Sequence, residues 1–300
     1  MNVLFIVLNL IAFHPAAGTS GNDFLRIIPT AREAALGGAA SVNAEGAFAF
    51  YYNPINILKG VSSAAQFSYV NYPAGINACA VGYLQPVNPD VGLGVGINYL
   101  NSGTMKRTNE QGEELGAFGA ACAVLNVSGA TRIAEQLTLG AGIAGLYGNI
   151  DTFFSLALAT NLGIGYELFP YNIRVGLTAS NLGWEVKPFG ETRDPLPIEF
   201  GLGAAWQPVP ALNLNLTLNK PLDNRLNFRF GVEGWLNQYL VLRGGYNSLG
   251  SDLGDGSGGD IFAGFATGFG LRYQRYQIDY SYVPMGLIGI SHRLSFGLSL

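Results

Sequence analysis

The chain has 300 residues, of which 12% are charged, 49% are apolar and 42 are glycine. That is too little charge for an ordinary water-exposed surface, since soluble domains usually hold about 25%. No internal stretch reaches the roughly eighteen consecutive apolar residues of a transmembrane helix, and the formal net charge of −4 excludes a strongly basic nucleic-acid binder. The remaining class is a transmembrane β-barrel, in which apolar content is divided among many short alternating strands.

In chain order, Met1 to Gly18 reads as a secretory signal peptide. Val3 to Phe13 is nearly all apolar, and Ala16-Ala17-Gly18 offers small residues for cleavage, although the start lacks Lys and Arg. Residues 19–60 differ in character from the rest. Arg26, Arg32, Glu33 and Glu45 are scattered among alanines and glycines, and Pro29 with the Gly37-Gly38 pair limits any helix to about two turns. Residues 61–300 are expected to form the barrel.

Beyond Lys59, alternation and turn signals place fourteen antiparallel strands, at approximately 62–71, 75–84, 91–100, 115–127, 136–147, 153–166, 171–180, 198–207, 211–219, 226–236, 239–247, 261–273, 275–283 and 291–300. Ala211 to Asn219 shows the rule: Leu212, Leu214, Leu216 and Leu218 share one face of an extended strand and Asn213, Asn215, Thr217 and Asn219 the other. The row opposite the apolar one carries Arg174, Glu199, Arg229, Glu233, Arg243, Asp279 and Arg293, so these charges are expected in the lumen. An Arg facing lipid at mid-depth would cost about 2–4 kcal/mol. Either these groups line a permeation path, or they pair with one another and with Arg26, Arg32, Glu33 or Glu45, the simpler way to satisfy a filled lumen. Tyr99, Tyr147, Tyr166, Trp206, Tyr239 and Tyr280 read as interface girdles.

The long connections 101–114, 181–197 and 248–260 all follow odd-numbered strands, whereas even-numbered ones are followed by short turns such as Gln274-Arg275. Long loops are expected outside and short turns in the periplasm, with an even strand count returning both termini to the periplasm. Ser295 to Leu300 alternates to the last residue, as closing strands of such barrels do, although the final residue is not aromatic.

Motifs that suggest chemistry lack their context. The string Gly140 to Gly145 fits a dinucleotide fingerprint but lies within a strand and is followed by another. Gly254 to Asp260 resembles a serine nucleophile loop, but no histidine is placed to activate it. Asp252, Asp255 and Asp260 could offer hard oxygen ligands to Ca²⁺, but their spacing is not that of an EF-hand, and a solvated acidic loop is the simpler reading. The sequons at Asn126 and Asn215 fall in strands. Cys79 and Cys122 lie on strands separated by a third, about 9–10 Å apart and beyond disulfide reach, so two free buried thiols are expected. No catalytic residue, metal site or cofactor is expected.

Phe24-Leu25-Arg26, then Ala31-Arg32-Glu33-Ala34-Ala35-Leu36-Gly37-Gly38-Ala39, then Tyr52-Asn53-Pro54 together resemble the N-terminal signature of the PorV/PorQ family, within the wider FadL-type superfamily of outer-membrane barrels. Ile55 stands where that family has alanine, at a place where tight packing is expected. The resemblance implies that residues 19–60 fold inside the barrel as a hatch, with Arg32, Gly37, Gly38, Asn53 and Pro54 as its signature positions. It also implies a non-enzymatic outer-membrane role in type IX secretion, in which extracellular loops receive exported cargo at a translocon and pass it on for surface attachment. The other reading is a FadL-like transporter of hydrophobic small molecules, with a ligand or detergent in the lumen and lateral release where the glycines of strand 91–100 permit a kink. No distinct apolar inward patch is evident for such a ligand. Lipid is the partner common to both readings, and neither involves nucleic acid.

Overall fold

The computed structural model describes residues 15–60, 62–253 and 262–300. Most of the expected signal peptide, His14, and the loop positions Asp255 and Asp260 therefore lie outside the described residues. All fourteen expected strands form, with β3, β4 and β7 running well past their expected ends: β1 Ala64–Asn71, β2 Asn77–Asn88, β3 Val91–Thr108, β4 Glu114–Ala134, β5 Leu137–Ile150, β6 Phe153–Leu168, β7 Ile173–Lys187, β8 Glu199–Val209, β9 Leu212–Pro221, β10 Asn227–Trp235, β11 Leu240–Asn247, β12 Phe265–Tyr273, β13 Tyr276–Pro284 and β14 Ile290–Ser299. Each pairs antiparallel with its sequence neighbours, and β1 pairs with β14 to close a transmembrane barrel without edges. Alternation decides which face meets lipid: on β9, Leu216 is 43% exposed while Asn215 and Thr217 are each 2% exposed.

Residues 20–60 run through the lumen. At the long-connection mouth the Gly21 amide donates to the Pro195 carbonyl (3.0 Å), and a 3₁₀ turn follows at Asp23–Arg26. The helix α1, Ala31–Ala35, packs against β11 to β14. The Ser295 hydroxyl on the wall accepts its first amide (2.8 Å), and Gly37 (φ +64°) and Gly38 (φ +81°) end it. Two more 3₁₀ segments, Ala49–Tyr51 and Pro54–Lys59, carry the chain to β1 at the opposite, short-turn mouth. There the Leu300 amide bonds the Ser63 carbonyl (2.8 Å). The two described ends of the chain thus sit at opposite mouths. The strand count fixes only where β1 begins, and the lumenal segment spans the barrel before it.

Four expectations need correction. The glycines of β3 do not kink the wall. Gly94 and Gly96 pair in register on both sides, with a shift only at the start of β3, where Gly92 pairs with Pro86 and Val91 with Asn88, and the space they leave is filled by the lumenal segment: a side chain at Gly96 would come within 2.7 Å of Phe48, and Gly94 lies under Phe50. The connection 101–114 is mostly strand, because β3 and β4 continue as a hairpin exposed on both faces, with only 109–113 as its loop. Likewise β7 extends to Lys187, but its pairing with β8 stops at Ser180 and Glu199. Beyond that point Pro195 and Pro197 cannot donate to a ladder, and Leu196 turns inward to pack with Leu25. Cys79 and Cys122 are free but only half-buried. Cys79 shares the outward row of Val81 and Tyr83, and Cys122 the inward row of Val124 and Asn126, so their side chains point to opposite faces of the wall.

Candidate functional site

An ion-pair chain fixes the lumenal segment to one side of the wall. Arg32 of α1 grips Glu233 with Nε and Nη2 (both 3.0 Å). It also bonds Glu33 (3.0 Å) and the Asn43 carbonyl (2.8 Å). Glu233 in turn accepts from Arg243 (2.6 Å), which reaches Asp279 (2.6 Å). All four groups are buried, so each depends on its partners in place of water. At the short-turn mouth Glu45 lies 3.3 Å from Arg272 and 3.7 Å from Lys59.

Asn53 and Pro54 start the last 3₁₀ segment, with Asn53 Oδ1 accepting the Ile55 amide (3.2 Å) and Pro54 at its first position, where no amide is needed. Ile55 is fully buried and fits because the wall yields opposite it: a side chain on Gly165 would come within 2.6 Å of Ile55, on Gly163 within 3.2 Å and on Gly176 within 3.3 Å. The bulk of Ile55 is thus accommodated by glycines on β6 and β7. Gly140 serves the same purpose for Pro54, at 2.7 Å, which accounts for the dinucleotide-like string.

The remaining lumen charges are dispersed. Arg174 reaches the Ile55 carbonyl (3.2 Å) and lies 3.7 Å from Glu167, and Glu199 accepts from Asn219. Arg293 bonds the Ile28 carbonyl through Nε (3.0 Å) and the Tyr72 hydroxyl through Nη2 (3.2 Å), leaving Nη1 without a partner. The Arg229 Nε is buried without a hydrogen-bond partner among the described residues. Asp252 pairs with Arg225, and among the described residues no cluster could hold a metal ion.

At the long-connection mouth lies an apolar pocket of about 430 Å³. Ile27, Ile28, Ile76, Leu100, Val283 and Ile288 are among its walls, and Arg293 adds a charged edge. Strand alternation did not reveal it, because much of its lining comes from the lumenal segment and the connections. The signal was there as apolar residues in connections that solvent would keep polar: Pro73 and Ile76, and Met285 to Ile288. Gly92, Gly94 and Gly96 of β3 meanwhile receive Ile57, Phe50 and Phe48 of the lumenal segment and contribute no ligand space.

The strap Ser20–Ile28 crosses the lumen beside this pocket, held by Arg26 and Ser20 on Asp223 and by Asn22 Nδ2 on Glu185 (2.8 Å). Burial alone would push the Asp223 carboxyl up. The hydrogen bonds from Arg26 and Ser20, with the Arg26 charge, outweigh it and leave the carboxyl below its ordinary value. A lowered aspartate contributes stability that is fully present above its unfolded value, about 3.9, and lost as pH falls through its folded one. Protease cleavage within 19–30 is therefore expected to increase steeply below about pH 4. Asp223→Asn should cleave faster at neutral pH and show a flatter acid dependence, and identical pH profiles would remove Asp223 as the tether.

No family model matches the chain, and no curated relative matches it. Solved structures do. The ΔS2S3 mutant of the TodX monoaromatic hydrocarbon channel superposes with a TM-score of 0.68 at 11% identity, over 90% of this chain and 99% of that one. The Ralstonia pickettii toluene transporter TbuX gives 0.62 at 12% identity, over 90% and 98%. A Pseudomonas aeruginosa FadL homologue gives 0.57 at 12%, over 90% and 97%. Identities this low speak for the fold alone: a closed fourteen-stranded antiparallel barrel, shared in outline with these channels and transporters.

Proposed function

We propose that the protein is an outer-membrane transporter of hydrophobic small molecules, taking its ligand into the apolar pocket at the long-connection mouth, which would face outward. The pocket carries this reading, since it is an apolar recess walled by Ile27 and Ile28 at the mouth of a plugged barrel. The channels and transporters with the same fold support it. Residues 19–60 act as the hatch, with Arg32, Gly37, Gly38, Asn53 and Pro54 docking it, so passage toward the short-turn mouth requires the hatch to shift. The test is uptake of a labelled apolar compound into proteoliposomes. Ala266 is buried on the pocket wall, and Ala266→Trp is expected to fill the pocket and lower uptake at least tenfold while heat-modifiable gel migration shows an intact barrel. Unchanged uptake would refute the route, and no uptake by the wild type would refute the function.

The secretion reading rests on the Phe24 to Pro54 signature and on the protruding β3–β4 hairpin with the 188–198 connection, a rim to which cargo and a type IX translocon could bind. The rest of the 248–260 loop lies outside the described residues beyond Leu253. Co-purification of a translocon partner from solubilised outer membrane, lost on trimming 105–117 and 188–193, would favour it over transport.

A further inference from the structure

Behind the strap is a second, smaller cavity of about 80 Å³, lined by Asn126, Asn161, Asn181, Thr217, Asn219 and Tyr52 among others. Arg26, Ile27 and Ile28 line both cavities, so an apolar compartment and a polar one adjoin at the strap. The polar compartment is under-satisfied. Asn126 Nδ2 and Asn219 Oδ1, in side chains more than nine-tenths buried, have no partner among the described residues, and neither does Arg229 Nε. Buried amides left unpaired cost free energy, so their collection around one cavity points to something that completes them. The cavity exceeds the 10–15 Å³ or so that one water needs but is far too small for a hydrocarbon skeleton.

Charge selects among candidates. Arg26 is matched by Asp223, and Arg229 shares the cavity with the Glu199 carboxylate. The compartment is therefore neutral as a whole, and an entering carboxylate would have to be desolvated against Glu199. A hydroxyl can both donate to Asn219 Oδ1 and accept from Asn126 Nδ2.

We infer that this barrel selects an amphipath with an uncharged hydrogen-bonding head, an alcohol or phenol on an apolar body, the body in the outer pocket and the head in the amide-lined compartment behind Ile27 and Ile28. This deepens the transport reading and rests on it. A site built to hydrogen-bond a hydroxyl discriminates against the analogue that lacks it, because its own polar groups are then left unpaired.

The test uses three ligands with one skeleton, 2-phenylethanol, ethylbenzene and phenylacetate, titrated calorimetrically into the full-length barrel in nanodiscs, with empty nanodiscs subtracted. The wild type is expected to bind the alcohol about tenfold more tightly than either relative. Asn126→Leu and Asn219→Leu should bring the alcohol to within about twofold of ethylbenzene. Should either leucine variant fail to fold, Thr217→Val, which removes one lining hydroxyl at constant shape, is expected to narrow the preference in the same direction. Tightest binding by phenylacetate, or equal binding of all three by the wild type, overturns the inference alone, the latter meaning that the compartment holds only water. Binding of none of the three overturns it together with the transport reading.

Discussion

Glu233→Ala is expected to destabilise the folded barrel by about 3–5 kcal/mol, the usual consequence of removing one member of a buried ion pair. Glu233 is the junction of the chain, receiving Arg32 from the hatch and Arg243 from the neighbouring strand. Without it, Arg32 keeps Glu33 and the more distant Glu45, and Arg243 keeps Asp279, so the loss belongs toward the lower end of that range. Urea unfolding of protein refolded into lipid vesicles measures it. A double-mutant cycle with Arg32→Met isolates the part that crosses from hatch to wall, and that coupling should reach at least about 1 kcal/mol. A coupling near zero would mean that Glu233 stabilises the wall only.

Gly245→Val is expected to undock the hatch and open the barrel. A side chain at Gly245 would overlap the backbone of Leu36 and Gly37, and Gly37, held at φ +64°, faces the Tyr246 backbone, which a side chain would approach to 2.7 Å. Backbone meets backbone here, so no rotamer change relieves the clash. In the ladder itself valine is acceptable, because Gly245 pairs regularly with Gly231 and Ala266. The expected result is a strand content unchanged by circular dichroism, a severalfold rise in planar-bilayer conductance, and new protease sites within 19–60. Gly234→Val is the control, since a side chain there meets nothing within 4 Å. Conductance that stayed at the wild-type level would show that the hatch does not depend on this contact.

The two variants probe different sources of information. The barrel wall was legible as period-two alternation because lipid imposes one requirement on every outward position, and β9 keeps it from Leu212 to Asn219. Strand ends were less legible. β3 and β4 continue past the point where both faces become exposed, and once neither lipid nor lumen acts on the chain, alternation no longer marks where pairing stops. The lumenal row was legible as a set, and its pairings were not. Arg32 and Glu233 are 201 positions apart, and no local pattern specifies a contact between an interior segment and a wall residue.

By itself, the sequence determined that the chain closes into a fourteen-stranded membrane barrel with its polar residues inward, because that follows from local alternation and one solvent boundary. The tertiary structure alone decided what fills the cylinder: which glycines receive Phe48, Phe50 and Ile55, where the strap crosses, and how an apolar cavity and a polar one adjoin at Ile27 and Ile28. Those outcomes depend on the close packing of segments distant in sequence, where volume and hydrogen-bond complementarity are set jointly by both partners.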